Sequence, residues 1–248
     1  MSIRFTLTKA GVRDLGRARS YRVAFGVMAA FFVAILYVVG VKLLIAPLLA
    51  RPELDRDLLA AAVTGLVYCT VLIITGLSLD INAIQPLVRG KASGSVESLL
   101  ATPVTGRDLW LALSVASILP GIVVGVIAGA IATAVLGLTY LAPNEIPTAT
   151  VWMILNCFVL LPILYFTVAL LVHAVGLPGR ATSGGVIAQV FLPVFASVIM
   201  NLAGRSVIAV TRADLAIVQL GLIVVLVGIL VAVARGVTKE RIVLSCRR

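Results

Sequence analysis

The chain has 248 residues, of which 61% are hydrophobic and only 12% charged, with a formal net charge of +10. A soluble domain carries about 25% charged residues, and the mean hydropathy of +1.18 is far from that class. Apolar runs of about 20 residues recur along the whole length, long enough to cross a bilayer core of about 30 Å, so a soluble protein with one buried helix is excluded.

Before the first apolar run stands RFTLTKAGVRDLGRARSYR, where Phe5, Leu7, Val12 and Leu15 alternate loosely with basic residues. It reads either as a helix over residues 1–21 lying in the membrane interface or as a basic flank that fixes orientation. It is followed by an apolar run too long for the core of a cleavable signal peptide. Hydropathy then gives six spans, roughly Arg22–Pro47, Leu58–Leu79, Leu109–Leu138, Thr150–Val175, Gly184–Asn201 and Asp214–Ala234. The predicted fold is all-α: a polytopic membrane protein with one transmembrane domain over residues 1–248. Residues 22–234 form the six-span bundle and 235–248 a cytoplasmic tail.

Charge placement sets the orientation. With the N-terminus in the cytoplasm, fifteen of the twenty Lys and Arg fall in inside segments. Four, Arg51, Arg56, Arg205 and Arg212, fall outside, and Lys42 lies near the outer end of the first span. This is the positive-inside bias of a multi-pass protein in the cell membrane with both termini cytoplasmic. Charges spread beside spans in this way do not form the clustered patch that binds nucleic acid, which is excluded as a partner.

Between the second and third spans lies SGSVESLLATPVTGRDL, Ser93 to Leu109. Gly94 or Ser95 caps a helix, Glu97 meets its positive end, and Val96, Leu99 and Leu100 recur at helical spacing. Pro103 disfavours helical geometry at Thr102 and ends it. Thr105 and Asp108 then have capping-box spacing for the start of the third span. A helix of about two turns is marginal in water, so its apolar face lies on the bundle, on the membrane interface or in a partner's groove.

The run Gly94–Thr105 resembles the cytoplasmic loop of type-2 ABC transporter permeases, which typically reads G-T-x-E-x-L-L-x-T-P-V-S between the second and third spans. The layout of basic N-terminal helix, six spans and cytoplasmic termini is similar as well. The loop before Gly94, LVRGKAS, lacks the acids common there. Only Leu202 to Ala213 separate the fifth and sixth spans, where many members place re-entrant helices. The resemblance implies a coupling helix whose Gly94, Glu97, Leu99, Leu100 and Pro103 contact a separate ABC ATPase subunit. It also implies a second permease copy or paralogue, and ATP-driven export of a hydrophobic or amphipathic substrate such as a drug, lipid or peptide.

ATP hydrolysis is not expected in this chain. A P-loop needs G-x-x-x-x-G-K-[ST], and the nearest fragment, Gly90-Lys91-Ala92, has Gln85 and Ala92 where Gly and Ser or Thr are required. No cofactor is therefore expected here; ATP and Mg²⁺ belong to the partner. Catalytic residues and a metal site are not expected either. The lone His173 reads as a packed or interfacial residue, because ATSGG lacks the first glycine of a membrane serine protease motif. Cys69 and Cys157 read as packing residues and Cys246 as a free thiol, in no metal-ligand spacing.

Polar residues in apolar spans are costly and mark paths or bundle hydrogen bonds. Lys42, Asp80, Asn82, Asn156, Gln189, Asn201 and Gln219 are of this kind, with Asn156, Gln189 and Asn201 as candidates for a translocation path. Gly121, Gly125 and Gly129 form a small-residue stripe that reads as packing within the chain rather than between subunits. Pro120, Pro162 and Pro193 are expected to kink their spans. The alternative function is an ion- or proton-coupled carrier whose loop helix rests on the membrane.

Overall fold

The structure is a computed structural model that describes residues 19–246 apart from 94, 102–103 and 205–208. The proposed interfacial helix therefore lies almost wholly outside the described residues. Those described are helical and turn, without a strand, and six helices are long and apolar enough to cross a membrane. They are Phe25–Leu49, Arg56–Ala83, Gly106–Asn144, Val151–Gly176, Thr182–Ile199 and Ala213–Ala234. This is the architecture of a multi-pass membrane protein.

Several boundaries are set by capping. Asp55 accepts from the Leu58 N–H at 3.0 Å and starts the second span. Thr150 does the same for Met153 at 3.2 Å and starts the fourth. Thr105 accepts from the Asp108 N–H at 3.1 Å, while its hydroxyl donates to the Asp108 carboxylate at 2.7 Å. The third span is 39 residues long. At about 1.5 Å per residue it is nearly twice the thickness of a bilayer core, so its ends stand beyond the apolar layer.

Proline shapes these helices differently from the sequence expectation. Four π-helical segments are described, Val41–Ile45, Asp80–Ile84, Gly137–Leu141 and Leu155–Leu160. Each ends two residues before a proline: Pro47, Pro86, Pro143 and Pro162. Proline has no N–H, and its ring collides with the carbonyl four residues back. A wider turn just before it moves that carbonyl aside, with the preceding N–H reaching five residues back. Ala46 bonds to Val41 O, Ala142 to Gly137 O and Leu161 to Asn156 O in this way. Of the expected kinks only Pro162 follows such a segment; Pro120 and Pro193 sit within continuous α-helix.

The second and fourth spans form the centre. Their most apolar windows are 61% and 56% buried, against 17% for the first and 22% for the sixth. The glycine stripe of the third span faces the second. A methyl group at Gly125 would meet Thr75 Oγ1 at 2.6 Å, one at Gly121 would collide with the Ser78 side chain, and one at Gly129 with Val71. Val71, Thr75 and Ser78 lie at helical spacing on one face, so the stripe serves intrachain packing, as its sequence reading held.

Candidate functional site: the helical platform at the basic end

The second span does not stop at the bundle edge. It continues through the π segment Asp80–Ile84 into an elbow helix, Gln85–Ala92, and then the loop helix Ser95–Leu100. The last residues also form a tail helix, Lys239–Cys246, where the sequence suggested only a tail. Arg89, Lys91, Arg107, Arg180, Arg235, Lys239 and Arg241 gather at this end by connectivity, which makes it the basic end of the bundle.

The tail helix begins with a signal that is legible in retrospect. Thr238 stands at its cap, accepting from the Arg241 N–H at 3.4 Å. Val237 before the cap and Ile242 four positions into the helix are both buried, the spacing of a hydrophobic staple. Ile242 is 0% exposed and lies over Gly106 at the start of the third span, where a Cβ would meet Ile242 Cδ1 at 3.2 Å. The glycine of "TGRDL" is therefore a close-approach position.

Lys91 joins three segments. Its ammonium donates to Gly179 O at 2.6 Å, in the turn between the fourth and fifth spans, and to Ser245 Oγ at 2.8 Å on the tail helix. The Ser245 hydroxyl in turn shares its one proton between Leu177 O at 2.8 Å and Ile242 O at 2.7 Å. Beneath this network, Leu87 of the elbow helix is buried against Gly176, and Gly176 lies beside Gly184. Trp110 Nε1 donates to Leu170 O at 2.8 Å and ties the third span to the fourth just inside the same end.

The loop helix rests on this platform. Val96 is buried and Leu99 half-buried, in one apolar cluster with Val104, Val237 and Ile242, and the loop helix touches the tail helix. The sequence left open what covers that apolar face; the chain itself covers the Val96 side. Ser98 and Ala101 are exposed. Gly94 and Pro103 lie outside the described residues, as do the side chains of Glu97 and Leu100.

The path candidates are not brought together. Asn156 is fully buried, and its Nδ2 donates to Val210 O at 2.9 Å, pinning the segment that leads into the sixth span. Gln189 is exposed on the fifth span, and Asn201 is exposed just beyond it on the same helix. A different polar set occupies the bundle interior. Gln219 of the sixth span donates to Tyr68 OH of the second at 2.7 Å, and both are buried. Tyr165 OH, Thr75 Oγ1 and one carboxylate oxygen of Asp80 are buried without a hydrogen-bond partner among the described residues. Tyr165 OH stands against the second span, 3.0 Å from where a Cβ on Gly76 would lie. Its ring packs edge-on to Phe191, which stacks on Phe195. Spacing could not have revealed this set, because it joins residues about a hundred and fifty positions apart.

His173 is buried, with Nδ1 2.9 Å from Ala169 O, a packed residue. Cys157 is buried and Cys69 half-buried, both free thiols, and the described residues hold no cluster of metal-ligating side chains. At the opposite end a cleft of about 510 Å³ opens between Thr64, Thr150 and Arg212, with Arg56 and Glu145 paired at 3.8 Å on its exposed rim. Comparison with protein-family models, with curated proteins and with solved structures finds no match for this chain.

Proposed function

We propose that the chain is the membrane-spanning subunit of an ATP-driven exporter of the type-2 ABC class. It works as a pair of permeases in the cell membrane with both termini cytoplasmic, energised by a separate ATPase subunit, and moves a hydrophobic or amphipathic substrate outward. One observation carries this reading: a short helix, Ser95–Leu100, is held at the basic end by a platform that also grips the third span and the turn after the fourth. A helix too short to stand alone is thereby fixed where a cytoplasmic partner can push on it. Because the chain covers Val96, the partner reads the exposed Ser98 and Ala101, and Glu97 between Val96 and Ser98 in the chain is the charged residue offered to it. The apolar residues inside follow the platform as one body.

The test is co-purification from the native membrane in mild detergent. A P-loop ATPase at about one copy per permease is expected with the wild-type chain. Glu97→Ala combined with Ser98→Trp keeps Val96 and Leu99 and should lower ATPase recovery roughly tenfold or more, the loss that removal of a docking contact of about 1.4 kcal/mol or greater produces. Normal recovery and normal transport in that variant would overturn the docking role.

A second reading, an ion- or proton-coupled carrier, is favoured by the Asp80 carboxylate oxygen and the Tyr165 hydroxyl, both buried without a hydrogen-bond partner among the described residues. Collapsing the proton gradient with ATP maintained separates the two: transport continues in an ATPase-driven exporter and stops in a proton-coupled carrier.

A further inference from the structure

At the basic end, a groove of about 560 Å³ runs between the ends of the fourth and sixth spans. Its walls divide sharply. Val175, Ala232 and Val233 come from the last turns of the two spans, and Pro178 from the turn beyond the fourth. Arg235 follows the last residue of the sixth span, and Arg241 lies on the tail helix. Arg241 reaches back over Gly236, where an added Cβ would stand 3.0 Å from its Nη1. No lining residue is acidic, and among the described residues neither guanidinium has an ion-pair partner. Two full positive charges here outweigh the partial negative charge of about half a unit at each helix end.

We propose that this groove binds an anionic phospholipid of the adjoining leaflet, its phosphate between Arg235 and Arg241 and the start of an acyl chain along Val175, Ala232 and Val233. The groove lies where the spans end, so its apolar wall is at acyl depth and its guanidiniums at headgroup depth. Arginine presents paired N–H donors that match phosphate oxygens. A free phosphate uses the charges but leaves the apolar wall in contact with water, whereas a lipid covers both. Because Arg241 belongs to the tail helix, a bound headgroup also holds that helix in place beside the loop helix. This site does not depend on what drives transport.

The experiment is native mass spectrometry of the full chain, delipidated in neutral detergent and offered equal phosphatidylglycerol and phosphatidylcholine. One phosphatidylglycerol per chain is expected to remain bound in preference to phosphatidylcholine. Arg235→Gln with Arg241→Gln should reduce its retention roughly tenfold or more, from the loss of two basic contacts near the membrane surface. Ala232→Trp keeps both charges but fills the apolar wall, and should reduce retention as well. Arg180→Gln, an exposed cation at the same end outside the groove, should leave it unchanged. Retention at the wild-type level in both groove variants overturns the proposal, as does an equal loss in Arg180→Gln, which means diffuse charge attraction. Displacement of the lipid by millimolar inorganic phosphate overturns the lipid assignment in favour of a plain anion site.

Discussion

At the scale of single residues, close approach and capping explain most of the local structure. Gly106, Gly121, Gly125 and Gly176 each stand where a methyl group would meet a neighbouring side chain. At Gly125 an added Cβ would lie 2.6 Å from Thr75 Oγ1, and the partner helix cannot yield without moving Val71 and Ser78 too. Gly125→Leu should therefore separate the second and third spans at an overpacking cost of about 1–3 kcal/mol or more. A lowered midpoint of thermal aggregation in detergent checks this. Gly221→Leu on the sixth span, where nothing lies within 4 Å, should leave the midpoint unchanged. The cap at Thr105, and the glycine stripe itself, were legible in the sequence. The depth of each contact was not, because a glycine on an exposed face and one against a partner helix look the same in a string of letters.

At the scale of elements, the loop helix was legible and its support was not. Residues Val96, Leu99 and Pro103 announce a short helix and its end, but Lys91, Leu177, Gly179 and Ser245 are brought together only by folding. Lys91 reads in the sequence as one more inside charge; in the structure it joins three segments at the basic end. The tail helix is the main element that the sequence reading missed, although Val237, Thr238 and Ile242 carry a staple and a cap. Ending the chain after Val237 removes Ile242 from above Gly106 and Ser245 from Lys91. We expect residues 93–101 to exchange amide hydrogens at least about tenfold faster in that truncation, as a short helix without packing frays. Hydrogen-exchange mass spectrometry measures this, and unchanged protection would show that the loop helix is held by the bundle alone. The prolines teach a related lesson. Their positions are plain in the sequence, yet which of them is preceded by a wider turn is not, since Pro120 and Pro193 are accommodated in continuous α-helix.

At the scale of the whole molecule, the burial gradient from the second and fourth spans outward leaves apolar faces on the first, fifth and sixth. Val27, Phe31, Val186, Val190, Ile217 and Val224 are more than half exposed there. Faces of this kind suit lipid or another membrane subunit. The orientation is a separate property, argued from charge. In a Cys246→Ser background, Glu145→Cys should react with a membrane-impermeant maleimide in intact cells. Glu240→Cys, at the basic end, should react only after the membrane is opened. The reverse pattern would place the loop helix outside, beyond reach of any cytoplasmic ATPase.

The sequence by itself determined that six apolar helices cross a membrane, because hydropathy over some twenty residues is a local sum that needs no knowledge of neighbours. It also determined a short helix in the loop and the Thr105 cap of the third span, which depend on residues three or four apart. Tertiary structure alone decided that Asn156 fastens a loop while Tyr68, Tyr165 and Gln219 occupy the interior. It decided too that the chain's own platform lies beneath Val96. Those outcomes depend on which faces meet, and apolar spans with weak amphipathicity carry little record of the face that each will bury.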